Sequence, residues 1–91
     1  EKKMMTVEGL KKLEDELHER KVIIRKEIAD KIKEAREQGD LSENAEYDAA
    51  RDEQRDNEAK IEELENLIKN AVVISDDDID TMLQTLVQQL P

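Results

Sequence analysis

Ala35-Arg36-Glu37-Gln38-Gly39-Asp40-Leu41-Ser42-Glu43-Asn44-Ala45-Glu46-Tyr47 separates two long runs of helical periodicity. Gly39 stands where a helix C-terminus favours a residue free to take positive φ, and Asp40 or Ser42 suits the cap of a following helix. The turn is therefore expected at Gln38 to Ser42. Two helices joined by so short a loop must run antiparallel.

Upstream of the turn, Thr6 is a suitable N-cap, since its hydroxyl can accept from a free N–H of the first helical turn. Leu10, Leu13, Leu17, Ile24, Ile28, Ile32 and Ala35 then recur at three-, four- and seven-residue steps and form one apolar stripe. The step from Leu17 to Ile24 passes through Arg20 and Lys21, which signals a shift in register instead of an unbroken heptad. Downstream, Tyr47, Ala50, Gln54, Asn57, Ile61, Leu64, Ile68 and Ala71 alternate four and three residues apart, a coiled-coil seam with two polar positions. At about 1.5 Å per residue, arms of roughly 30 residues are about 45 Å long. The seam is rich in Leu and Ile near the chain ends and in Ala, Gln and Asn toward the turn, so a thin, weakly packed tip is expected.

After Ile74 the composition changes. Ser75, Asp76, Asp77 and Asp78 suit the start of a further helix. Ile79, Met82, Leu83, Leu86, Val87 and Leu90 share one of its faces, and an isolated helix of about a dozen residues is marginal in water, so this face is expected to bind a partner or a second copy. The expected fold is all-α: a long antiparallel two-helix coiled-coil hairpin over residues 1–75, with a short amphipathic helix in 76–91.

Composition agrees. Phe and Trp are absent, Tyr47 is the one aromatic residue and 44% of the side chains are charged, which excludes a thick globular core and a large enclosed active site. The 25 acidic against 15 basic residues give a net charge of -10, which opposes general binding to a phosphate backbone and confines any such contact to a local patch. Absence of Cys removes disulfides and thiolate metal sites. No apolar run approaches the roughly 20 residues of a membrane span, and no signal-peptide pattern opens the sequence, so a cytoplasmic location is expected.

The turn is also where the chemistry concentrates. Asp40 and Glu43 lie three residues apart, Glu43 being expected in the first turn of the second helix, and two hard carboxylate oxygens suit Mg²⁺ while leaving most of its coordination sphere to water or another protein. The same Asp-x-x-Glu spacing is a relative of the capping box, in which both acids serve backbone N–H groups. Arg36, entering the turn, and Arg51, leaving it, are placed to meet a phosphate chain on one side of the rod, with Arg55 a weaker third. The alternative for each is an intrahelical ion pair with Glu or Asp. His18 has no neighbouring His or Cys and reads as a surface residue. Nothing suggests a Ser/His/Asp triad, a P-loop or a zinc ligand set.

Taken together, Met5-Thr6-Val7-Glu8-Gly9-Leu10, the segment Ala35 to Arg51 and Ile61-Glu62-Glu63-Leu64-Glu65 resemble the N-terminal coiled-coil domain of the Gre family of bacterial transcript-cleavage and elongation factors. The resemblance runs from about Met5 to Ser75. It implies a rod that enters the secondary channel of RNA polymerase and stimulates cleavage of backtracked RNA. Asp40 and Glu43 would help hold a second Mg²⁺ there, and Arg36 and Arg51 would contact the RNA near its 3′ end. The chain would thus activate the polymerase and not be an enzyme itself. The family continues into an FKBP-like domain that seats it on the polymerase, which residues 76–91 do not resemble. Two other readings stay open: a coiled-coil scaffold whose C-terminal amphipathic helix engages a partner or self-associates, and an inhibitor that blocks the same channel.

Overall fold

The computed structural model describes residues 2–40 and 43–90. Thr6 begins the first arm: its backbone is extended and its hydroxyl accepts from the Gly9 N–H at 3.0 Å. The arm comprises α1 (Val7–Glu19), a π-helical turn (Arg20–Ile24) and α2 (Arg25–Glu37), and the returning arm is α3 (Ala45–Lys69). The molecule measures 73 × 20 × 16 Å, and its radius of gyration of 21.0 Å exceeds the roughly 12 Å of a compact chain of this length, as befits a rod.

The π-helical turn accounts for the interrupted heptad. The Arg25 N–H donates to the Arg20 carbonyl five residues earlier, so one extra residue is accommodated between Leu17 and Ile24 and the stripe returns to the seam. Every expected seam residue is buried or half-buried. The expected weak packing toward the turn is corrected by the structure: Ala35 and Ala50 are only 1% and 3% exposed, whereas Leu10, Leu13 and Leu17 near the base are half-buried. Small side chains let the two backbones approach closely, so the Ala-rich segment excludes water better than the leucines of the base.

Polar groups fix how the arms align. Asn57, buried in the seam, donates from Nδ2 to the Arg20 carbonyl at 3.1 Å and accepts from Arg20 Nη1 at 3.2 Å. Across the hairpin Arg25 makes a two-pronged contact with Glu58 at 2.9 and 2.7 Å, while Lys21 meets Glu65 and Lys31 meets Glu53 at 3.0 Å. The Arg25 donors hold the Glu58 carboxyl below its ordinary pKa, outweighing a smaller opposing effect of desolvation, and raise Arg25 in return.

At the base the structure adds an element to the expected all-helical architecture. β1 (Lys3–Thr6) and β2 (Ala71–Ile74) pair in parallel, with Lys3 opposite Ala71 and Thr6 opposite Ile74. Parallel strands need a long crossover, and the entire hairpin serves as one. The pairing closes the rod below its last turn, where the Lys3 N–H donates to the Asn70 carbonyl at 2.9 Å.

Each strand runs directly into a helix. Ser75 caps α4 (Asp76–Gln88) through a reciprocal pair with Asp78, as expected from the Ser-Asp-rich start. Ile79 is half-buried, but Met82, Leu83, Leu86, Val87 and Leu90 are exposed. No helix among the described residues is long and apolar enough to cross a membrane.

Candidate functional site

The tip is made by the end of α2 and the start of α3. Gln38 closes α2, its N–H reaching the Ala35 carbonyl at 3.3 Å, and Gly39 follows with φ +122°, a region in which a side chain is strained. The turn therefore begins where the sequence places it. Its far side is longer than expected, because the cap of α3 is Asn44 and neither Asp40 nor Ser42. Asn44 is extended and its side-chain oxygen accepts from the Tyr47 N–H at 3.0 Å. Ser42 and Leu41 lie outside the described residues. Glu43 consequently sits one residue before the cap, not in the first helical turn.

Asp40 and Glu43 line one shallow concavity at the end of the rod, together with Gln38, Asn44, Ala45 and Glu46. Both are exposed. Glu46 is a third carboxylate on this rim that the sequence reading passed over, although its position three residues after Glu43 placed it within reach. Among the described residues no group of three acidic or imidazole side chains comes close enough to hold a metal ion. The donor set suits Mg²⁺ in kind, since it prefers carboxylate oxygens and retains waters, but supplies only part of a coordination sphere.

One to two helical turns behind the tip, Arg36 and Arg51 line a single groove with Lys33, Glu37 and Gln54, floored by Ala29 and Ile32. Among the described residues no ion pair engages Lys33, Arg36 or Arg51. The Arg36 guanidinium lies over the Tyr47 ring, 5.9 Å from its centroid, within the range of a cation–π contact. Lys33 belongs to this patch by its three-residue spacing from Arg36, a signal the sequence reading did not use. Arg55 does not line the groove and pairs with Asp52 in its own helix. His18 is exposed.

The site is thus a narrow helical hairpin with a pair of carboxylates at its turn and a basic groove just behind it. Residues 3–73 match the family described as "Transcription elongation factor, N-terminal", and the chain belongs to it. It is 66% identical over 79 residues to the transcription elongation factor GreA of Lachnoclostridium phytofermentans, covering 87% of this chain and 49% of that protein. With the proteins of the same name from Clostridium perfringens and Bacillus cereus it shares 54% identity, over 93% and 90% of this chain and 54% and 52% of theirs. The chain spans about half the length of the curated relatives it matches.

Proposed function

We propose that this hairpin enters the secondary channel of bacterial RNA polymerase and stimulates the polymerase's own cleavage of backtracked RNA. The observation that carries this reading is the shared concavity of Asp40 and Glu43 at the far end of a rod 20 × 16 Å in cross-section. Such a rod reaches a recessed centre that a globular domain could not enter.

There Asp40 and Glu43 would lend carboxylate oxygens to a Mg²⁺ held jointly with the polymerase. When bound, such an ion would supply Lewis-acid activation of the attacking water and stabilisation of charge on the attacking and leaving oxygens. The carboxylates orient that water toward the phosphorus. As the water oxygen bonds to phosphorus it gives up a proton, the P–O3′ bond breaks and the leaving oxygen takes up a proton, so that one fragment ends in a 3′ hydroxyl and the other keeps a 5′ phosphate. Lys33, Arg36 and Arg51 face the RNA segment beyond the cleaved bond and hold it by its phosphates. The chain alone carries too few ligands to act as a nuclease, so it serves as an activator and not as the enzyme.

The test is cleavage on a stalled polymerase complex. The chain should stimulate it, and Asp40→Ala or Glu43→Ala should lower stimulation by at least about 10–100-fold, the usual scale for disturbing a metal site, with unchanged helix content. Equal stimulation by the variants would remove the mechanism.

The exposed face of α4 supports a second reading, in which the hairpin is a scaffold and Met82, Leu83, Leu86, Val87 and Leu90, with Ile79, bind a partner or a second copy. Under it, Met82→Asp with Leu86→Asp should reduce the mass measured by light scattering. A monomer both before and after the change would leave no self-association to explain.

A further inference from the structure

Asn44 joins the two arms at the neck of the tip. Its Nδ2 donates to the Ala35 carbonyl at 2.6 Å while its Oδ1 accepts from the Tyr47 N–H at 3.0 Å. These partners fix the orientation of the amide, because a carbonyl can only accept and a backbone N–H can only donate. Each is an end group without a full intrahelical set: a carbonyl in the last turn of α2 and an N–H in the first turn of α3. Half-buried Asn44 therefore satisfies an open N–H on α3 and adds a second donor to the Ala35 carbonyl, which also accepts from the Gln38 N–H at 3.3 Å. Asp offers no donor for the Ala35 carbonyl, and Ser is too short to keep both bonds. Helix capping alone would accept any of the three residues. The stretch carrying Asp40 and Glu43 lies between the two anchored points.

We propose that Asn44 is a positioning residue for the tip carboxylates: its clasp between Ala35 and Tyr47 sets the separation of Asp40 and Glu43, and with it the affinity of the tip for a shared divalent cation. This rests on the metal-assisted reading above. Closing the neck in advance removes the need to order both carboxylates when the metal is bound, so the clasp acts on metal affinity more than on the rate at saturation.

Asn44→Asp and Asn44→Ser keep a capping oxygen for α3, so far-UV circular dichroism should stay unchanged in both. In the free chain, ¹⁵N relaxation should report order parameters for the Asp40 and Glu43 amides falling from about 0.8 toward 0.6 or below. On stalled polymerase, the Mg²⁺ concentration for half-maximal stimulated cleavage should rise about tenfold, with the rate at saturating Mg²⁺ within about twofold of the parent. The two variants differ in charge, so a change seen only in Asn44→Asp is an effect of the added carboxylate and overturns the proposal. So do unchanged order parameters in both variants, or cleavage reduced by the same factor at every Mg²⁺ concentration. If the parent chain stimulates no cleavage, the functional reading fails by itself, and the order parameters still decide whether Asn44 holds the tip.

Discussion

Replacing Asn57 by Ala tests what aligns the hairpin. Asn57 is 4% exposed and makes two bonds to Arg20, one to its carbonyl and one from its guanidinium. A neutral buried hydrogen bond contributes about 0.5–1.5 kcal/mol net and one with a charged donor about 1.5–3 kcal/mol. Neither partner is stranded by the change, because the Arg20 carbonyl keeps the Arg25 N–H and the guanidinium keeps Glu16 at 2.9 Å. The expected loss therefore sits at the lower end, about 2 kcal/mol. For a chain of this size each kcal/mol lowers Tm by about 4–8 °C, so thermal unfolding should shift down by about 8–16 °C. A double-mutant cycle with Arg20→Ala should return a coupling of about 1.5 kcal/mol, since the guanidinium bond is lost in either single variant. A Tm within about 2 °C of the parent would refute the claim that this buried amide secures the arms to each other.

Three further outcomes follow from the same geometry. Gly39→Ala meets no atom but must adopt φ +122°, so it should cost about 1–3 kcal/mol by thermal unfolding, and a neutral result would mean that the turn relaxes. Arg36→Ala combined with Arg51→Ala should weaken crosslinking of the tip to RNA in a stalled complex while leaving helix content intact; undiminished crosslinking would place the RNA elsewhere. Glu58 is held below its ordinary pKa of 4.5 by Arg25, so the folded chain takes up this proton less readily than the unfolded one. The stabilisation is complete well above pH 4.5 and fades as pH falls through the folded value, so Glu58→Gln should remove part of the acid dependence of Tm and little else. Both groups are solvent-exposed, which keeps this effect small.

The helical hairpin was legible because its seam is periodic and Gly39 punctuates it. Even the π-helical turn left a trace, as seven residues from Leu17 to Ile24 with charge between them. The ribbon was harder to see. Four residues on each strand are too few for an alternating pattern, and Met4 and Met5 carry little strand preference, although the run Val72-Val73-Ile74 beside Ser75 was a usable sign. Its parallel pairing depends on the length of the intervening hairpin and not on either strand. At the tip, sequence spacing brought Asp40 and Glu43 into one hypothesis but misassigned the cap. Asp, Ser and Asn have similar capping preference, and what selects Asn44 is its second bond, to a carbonyl nine residues earlier. Helical phase put Arg36 and Arg51 on one side of the rod, where they line one groove, whereas Lys33 was lost among many exposed charges.

The proposed function requires that the carboxylate tip, and no other part of the chain, reach the catalytic centre of polymerase. Iron(II) exchanged for magnesium at that centre produces hydroxyl radicals that cut nearby polypeptide. With the chain bound to a stalled complex, the cuts should fall around Asp40 to Glu43 and spare the base of the rod and α4. Cuts confined to α1, β2 or α4, or an intact tip in a complex where the chain is bound, would contradict it.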